Sequence, residues 1–498
     1  GDIEPMELPT SFFLDLAWDP ERFGTDELDN YTREWAARQF GSERSGDIAR
    51  FLRKYAKFNS RRTPEMLSPE TYSLHHYREF ERVVNDYNQL AQEARQMYQD
   101  LPERMKDAFY QLVLFPVEAS ANLNHLYYTT ALNRLYAEQG RSLTNAMADS
   151  VKVLFERDAA LTDYYHHEMA NGKWNHMMAQ THIGYTYWQQ PEKNTIPETR
   201  IIEVSEDAGM GVTVEGTDNW WPVSEKALSL PKVNGFDQHE PYVEIFNRGN
   251  EAFEYSVETD DEWVQVDSAR GVVEDQIRLT VSVDWENAPV GHHESQIVVK
   301  GAGREAHVTL PVNQLSTGEQ DAIYGFLESN GYISIEAENF TTKNDTEEIN
   351  WQVVPDLGRT ASAVTIHPVT AEARTPGEEH VLEYPVHFTA KGRVRVKACF
   401  SPTLNYQNDE GLRYAVGLDD NQPVVANIHE EKRENDWSKW VGQSINTTTT
   451  EHVVDEPGNH VLKFYMVDPG LVLQKIIIDA GGLKPSYLGP PESPFVDR

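Results

Sequence analysis

The sequence predicts a multidomain α and β protein: an antiparallel helical bundle followed by an immunoglobulin-like β-sandwich and a C-terminal jelly-roll-like β-sandwich. Three observations predict it. The chain has 498 residues, which at roughly 100–200 residues per domain makes about three domains. Apolar residues recur with a helical period over the first part of the chain and with a period of two after about residue 200. The charge changes at the same place: residues 1–200 carry 22 basic and 30 acidic side chains, residues 201–498 carry 22 and 50.

The helical part assigns as follows. Ile48, Phe51, Leu52 and Tyr55 stand at i, i+3, i+4 and i+7, one stripe of an amphipathic helix from Gly46 to Phe58. A similar stripe through Leu74, Tyr77, Val84, Tyr87, Ala91, Ala94 and Tyr98 predicts a helix over Pro69 to Asp100. Pro102 suits the first position of a third helix, which is expected to kink at Pro116 and stop at Gly140. A fourth is expected from Asn145 to Met169, ending near Gly172. Long helices joined by short turns pack as an antiparallel bundle, here residues 25–195.

Beyond residue 200, Tyr242–Phe246, Phe253–Val257, Trp263–Val266, Ile277–Val283 and Ser295–Val299 are short strand patterns separated by turn residues. They predict an immunoglobulin-like sandwich over 200–315. Ser316-Thr317-Gly318 reads as a linker. The alternation of Val394, Val396, Ala398 and Phe400 belongs to a second sandwich over 320–485, with 486–498 as a tail.

Composition excludes several classes. The net charge of −36 argues against nucleic acid, whose phosphates need clustered Lys and Arg. A hydrophobic content of 39% with 11% aromatics supplies real cores and excludes general disorder. No apolar run reaches the roughly 18 residues that suggest a membrane span. The single cysteine, Cys399, permits no internal disulfide, as in a cytoplasmic protein or a secreted bacterial one without disulfides. Its place between Ala398 and Phe400 makes it an inert sheet residue. Gly1 to Met6 shows neither a basic nor an apolar leader region, so a mature exported protein or a fragment could begin here.

Phosphate-binding loops, dinucleotide fingerprints, nucleophile elbows and zinc-protease motifs are missing from the sequence. His166, His167 and Glu168, with His176 and His182 behind them, hint at a metal. Adjacent histidines diverge on a helix, however, so capping and packing are the better account and no metal site is assigned. Glu336 and Glu338 lie two apart on a strand and share one face, opposite Ile333, Ile335 and Ala337. A hard cation between them is one reading, and a solvated acidic outer face is the favoured one. Trp174, His176, His182, Tyr185, Tyr187 and Trp188 could pack sugar rings or form an interdomain core. Arg61 and Arg62 could grip a substrate carboxylate with a bidentate fork, or form surface salt bridges.

Several blocks resemble glycoside hydrolase family 115. They are GDIEPME from Gly1, RRTPE from Arg61, GKWNHMMAQTHIGYTYWQQP from Gly172, YISIEAENF from Tyr332, LGRTASAVT from Leu357, SPTLNYQNDEGLRYAVGLDD from Ser401 and SYLGPPES from Ser486. The resemblance implies a xylan α-1,2-glucuronidase. Such enzymes are longer, with an α/β domain and a (β/α)8 barrel ahead of the bundle. It makes residues 1–24 the end of a truncated barrel and a linker, and it places the acid and base carboxylates upstream, so no catalytic residue is assigned here. Asp2 and Glu4 would lie at the cleft rim, and Tyr406, with Tyr414 behind it, would close over the cleft.

The expected function is therefore the scaffold and active-site lid of an enzyme that removes glucuronic or 4-O-methylglucuronic acid from glucuronoxylan or aldouronic oligosaccharides. The reaction would be inverting and use no cofactor. The chain by itself is expected to be inactive, secreted or periplasmic in a bacterium, and able to contribute to a homodimer. The alternative is a free-standing carbohydrate-binding or scaffolding protein.

Overall fold

The computed structural model describes residues 6–24, 27–185, 191–224, 226–236, 239–377, 379–406, 411–430 and 436–497. The helical part comprises α1 (Glu7–Trp18), α2 (Leu28–Phe40), α3 (Ser45–Asn59), α4 (Glu79–Asp100), α5 (Glu103–Phe109), α6 (Phe115–Gln139) and α7 (Thr144–His167). The stripe of α3 buries Ile48, Phe51 and Leu52 against Phe80, Val83, Val84 and Tyr87 of α4 and the apolar side chains of α6. The α6–α7 turn closes at Gly140, whose φ of 66° is a left-handed conformation that favours glycine.

Two helix expectations are corrected. The stretch Pro69–Arg78 is not helical: α4 starts only at Glu79, after Tyr77 and Arg78 adopt φ of 60° and 48°. The cause is local capture, because Glu79 Oε2 accepts the Ser73 N–H at 2.8 Å and the Ser73 hydroxyl accepts those of His75 and His76. The disturbance at Pro116 takes the form of a π turn over Tyr110–Leu114, which relieves the helix where proline lacks a donor.

The predicted fold class is borne out. The first sandwich pairs two sheets. One runs in the order Trp220–Trp221, Met210–Val214, Tyr242–Asn247, Gln276–Val283, Val264–Val266. The other runs Leu228–Ser229, Arg304–Gln314, Gly291–Gly301, Phe253–Thr259, Arg270–Val273. Alternate residues Ile297, Val299, Val308 and Leu310 face Val212, Ile245 and Leu279 in its core. The supposed linker at Ser316 is a short helix, α8 (Thr317–Ala322). Ser316 and Glu319 form its capping box, an S-x-x-E signal present in the sequence.

The C-terminal sandwich also has two sheets. One contains Arg413–Leu418, Gly458–Met466 and Val381–Phe388, flanked by Val424–Asn427, Gly325–Leu327 and Phe495–Val496. The other contains Asn350–Val354, Ala363–His367, Val472–Asp479, Gly392–Phe400 and Asn446–Val454, with Tyr332–Glu336 paired to Val472–Asp479. A short amphipathic helix, α9 (Asp436–Gln443), lies at one end. Cys399 is buried, and burial pushes its thiol up, as expected of an inert sheet residue. No helix among the described residues is long and apolar enough to cross a membrane.

The domains are fastened by buried charge. Arg141 joins the bundle to the first sandwich: its guanidinium donates to Glu244 Oε2 at 2.6 Å and Gln276 Oε1 at 2.8 Å. The same guanidinium stacks 4.1 Å from the Phe246 ring and 4.3 Å from that of Tyr136. The planar fork suits a site that needs both stacking and directed hydrogen bonds.

Candidate functional site

The C-terminal sandwich meets the bundle along a polar seam. Lys57 on α3 falls outside the apolar stripe, yet it is buried because the loop after Val354 covers it. Its ammonium donates to the carbonyls of Gly358 at 2.8 Å, Asp356 at 3.3 Å and Ala361. Burial brings its pKa down to about 8.

The next turn carries the two arginines proposed as a carboxylate fork, and both have protein partners. Arg61 is buried, pairs with Asp86 at 2.6 Å and lies 4.5 Å over the Phe58 ring. Arg62 donates to the carbonyls of Gly442 at 2.8 Å and Met66 at 3.1 Å. Arg61 thus ties the turn to α4, while Arg62 holds it against the C-terminal domain.

The tail from Lys484 to Ser493 is a strap across this seam. Tyr487 donates its hydroxyl to Arg61 O at 2.9 Å and packs edge-on to Tyr72. The Arg359 guanidinium lies 3.6 Å over the Tyr487 ring. Glu79, fully buried, accepts the backbone N–H groups of Tyr487 at 3.0 Å and Leu488 at 2.5 Å.

The strap corrects the reading of Glu336 and Glu338. Their face is covered, and the cation beside Glu336 is Lys475, whose ammonium donates to Glu336 Oε1 and to Pro490 O, each at 2.8 Å. Thr360 donates to the other Glu336 oxygen at 2.7 Å, and Glu338 accepts the Ser362 N–H at 3.0 Å. Glu492 in turn takes the Glu336 N–H at 2.8 Å. Sequence reasoning missed Lys57, Glu79, Arg359 and Lys475. One signal was available: Lys475 stands at a buried position within the apolar strand Val472–Asp479, where a lysine needs a partner.

Tyr414 is also corrected. It is 0% exposed, stacked on Phe464 at 5.3 Å, with its hydroxyl 2.6 Å from Thr448 Oγ1. Period two turns it into the sandwich core, so it cannot touch a ligand. Tyr406 is 57% exposed, its hydroxyl donating to Val369 O at 2.6 Å. It stands in a loop end with exposed Leu404 and Val441. His429 links this end together, with Nε2 3.0 Å from Thr403 O and its ring stacked on Trp440 of α9 at 5.9 Å. Flat rings with accessible edges at the end of a sandwich can hold a sugar face.

Asp2, Glu4, Tyr187 and Trp188 lie outside the described residues. In the rest of the aromatic run, Trp174, Met177 and Met178 pack on the bundle core and Ile183 is wholly buried. No cluster of three His, Cys, Asp or Glu suited to a metal occurs among the described residues. His166 faces Met177 O at 2.7 Å, and His167 pairs with Asp163 at 2.9 Å.

His182 Nε2 lies 2.9 Å from the buried Asp158. Burial disfavours its charge, but the hydrogen bond and charge of Asp158 outweigh burial and raise its pKa. Such a contribution to stability is complete below the unfolded value of about 6.5 and fades as pH rises through the higher folded value. His182→Gln is expected to flatten the loss of thermal stability over this window. An unchanged slope of Tm against pH would contradict the pairing.

Helices and two sandwiches joined through buried ionic seams define a multidomain protein whose β domains are fixed to the bundle. Two family models match: "Glycosyl hydrolase family 115" over residues 1–66 and "Glycosyl hydrolase family 115 C-terminal domain" over residues 325–492. Both matches are to glycoside hydrolase family 115, and together they support a member of that family.

Among solved structures, one described as "a novel family GH115 4-O-Methyl-alpha-glucuronidase, BtGH115A, with specificity for decorated arabinogalactans" is similar in fold, at 14% identity and a TM-score of 0.56. The alignment covers 96% of this chain and 45% of that one, so the chain spans under half the length of that relative. The C-terminal CBM6 of a laminarinase from Zobellia galactanivorans aligns at 18% identity and a TM-score of 0.21, covering 30% of this chain and 98% of its own. A family 35 carbohydrate-binding module from Clostridium thermocellum aligns at 10% and 0.20, covering 30% and 96%. No curated protein matches the sequence.

Proposed function

We propose that this chain is the bundle-and-sandwich portion of a secreted or periplasmic α-1,2-glucuronidase, supplying scaffold and lid. The enzyme removes glucuronic or 4-O-methylglucuronic acid side chains from glucuronoxylan. The observation that carries the reading is the match of two family models, in order, to the start of the chain and to its C-terminal sandwich. Inversion requires two carboxyl groups roughly 6.5–9.5 Å apart with a water between them. The reading assigns both to the barrel upstream, and Tyr406 to the rim that closes over the sugar.

In the enzyme carrying its barrel, Tyr406→Ala is expected to lower kcat/KM on aldouronic oligosaccharides about tenfold, the loss of one well-placed aromatic contact. Among the described residues its hydroxyl bonds Val369 O alone, at the surface, so Tm stays unchanged. The chain alone is expected to release no uronic acid. Release by the purified chain, or full activity of Tyr406→Ala, would overturn the respective part of this reading.

A further inference from the structure

A cavity of about 820 Å³ opens where α4, the first sandwich, the start of the C-terminal sandwich and the strap meet. Its volume falls in the range of small-molecule sites, about 300–1,000 Å³. The charged groups on its wall are unequally satisfied. Arg78 donates to both oxygens of Glu215, at 2.9 and 2.6 Å, and Glu81 takes two bonds from Arg278 at 2.9 Å. Glu492 is occupied by the Glu336 N–H and by the Asn339 amide.

Arg82 is different. Its Nε donates to Tyr77 O at 2.9 Å, and among the described residues its two terminal nitrogens carry no hydrogen bond or ion pair. The guanidinium is largely withdrawn from solvent, and burial lowers its pKa. Lys226 and Lys484 on the same wall likewise have no carboxylate partner among the described residues. Arg82, Lys226 and Lys484 thus line one cavity without a carboxylate ion pair among the described residues, in a chain whose net charge is −36.

The rest of the wall is not that of a bare anion hole. Tyr77 and Tyr332 meet edge to face at 5.6 Å. The Tyr77 ring is held there by a left-handed backbone, φ 60°, and by the Lys484 N–H on its hydroxyl at 2.8 Å. A non-glycine residue takes that conformation only at a cost, so the surrounding structure fixes it. Aromatic faces beside a desolvated guanidinium fit a ligand with a hydroxylated ring and one carboxylate.

We infer that this junction cavity is a binding site for a small carboxylated saccharide, with Arg82 and Lys484 holding the carboxylate and Tyr77 and Tyr332 flanking the ring. The site stands on the cavity itself and does not need the chain to take part in hydrolysis.

Calorimetric titration of the whole chain tests it, with an aldotetraouronic acid, neutral xylotetraose and inorganic phosphate as probes. The acidic saccharide is expected to bind in the millimolar range or tighter and at least about tenfold more tightly than the neutral one, the worth of a charge-assisted hydrogen bond. Arg82→Gln and Lys484→Met should each weaken it about tenfold. Lys484 is exposed, so its variant folds normally. Glu70→Ala, away from the cavity wall, should leave binding unchanged.

Equal binding of the neutral and acidic saccharides would overturn the inference. So would phosphate matching the acidic saccharide, indifference to both cation variants, or no heat at millimolar ligand. Binding is read on the chain alone, so failure of the hydrolase reading would leave this site standing.

Discussion

Glu79→Ala should destabilise the protein by at least about 3 kcal/mol and release the strap from the bundle. Glu79 is fully buried and accepts from Ser73, Tyr487 and Leu488 at 2.8, 3.0 and 2.5 Å. Its removal strands three backbone donors, each costing about 1–3 kcal/mol when unsatisfied, offset in part where water enters. Glu79→Gln keeps an acceptor oxygen and should lose less. Urea unfolding reads the stability, and limited proteolysis after Lys484 reads the strap. Glu70→Ala, which removes an exposed pair with Arg134, serves as the control and should change stability by no more than about 1 kcal/mol. A loss for Glu79→Ala no larger than that of the control would show that the strap is held elsewhere.

The second large effect is expected at Lys475. Lys475→Met leaves Glu336 buried without its cation, a change worth about 3–5 kcal/mol. Glu336→Leu strands the ammonium in the same way. The double variant should recover most of the loss, because desolvation of the pair offsets much of its attraction. The interaction energy from the four proteins is the decisive quantity. Additive losses would mean that Lys475 acts through Pro490 O alone, the other acceptor it reaches at 2.8 Å.

Much of the architecture was legible, for a physical reason. Helical and strand periods are written by which face is buried, so Ile48, Phe51, Leu52 and Tyr55 identified α3, and Val394, Val396 and Ala398 an inward strand face. The same period misled at Leu74 and Tyr77. Their spacing continues the stripe of α4, while Glu79 and Ser73 bend the backbone out of the helix. Period also identifies faces without saying what covers them. Glu336 was placed correctly on the strand face opposite Ile333 and Ile335, whereas Glu338 falls in the turn beyond the strand, and the cover of Glu336 comes from residues about 150 positions later.

The candidate site followed the same rule. Tyr406 was legible as an exposed loop tyrosine, whereas Tyr414 needed the phase of its strand to be recognised as core. The blocks at Arg61, Leu357 and Ser486 gave no sign that they belong together. In the fold they form one seam, with Tyr487 in contact with both Arg61 and Arg359. Arg82 and its cavity were invisible for a related reason, since the wall is assembled from four separate parts of the chain.

The distance along the chain between Glu79 and the strap, 408 residues to Tyr487, has a bearing on how the protein is made. At ribosomal rates of about 5–20 residues per second, roughly 20–80 s separate synthesis of the acceptor from that of its donors. Throughout that interval Glu79 has Ser73 as its partner within the bundle, while the donors of Tyr487 and Leu488 do not yet exist. Water must keep that surface solvated in the meantime. The bundle and the first sandwich can mature in turn as they emerge. The docking of the C-terminal sandwich on the bundle is sealed only after its last strap residues are free, which makes this seam the late, slow-forming joint of the nascent protein.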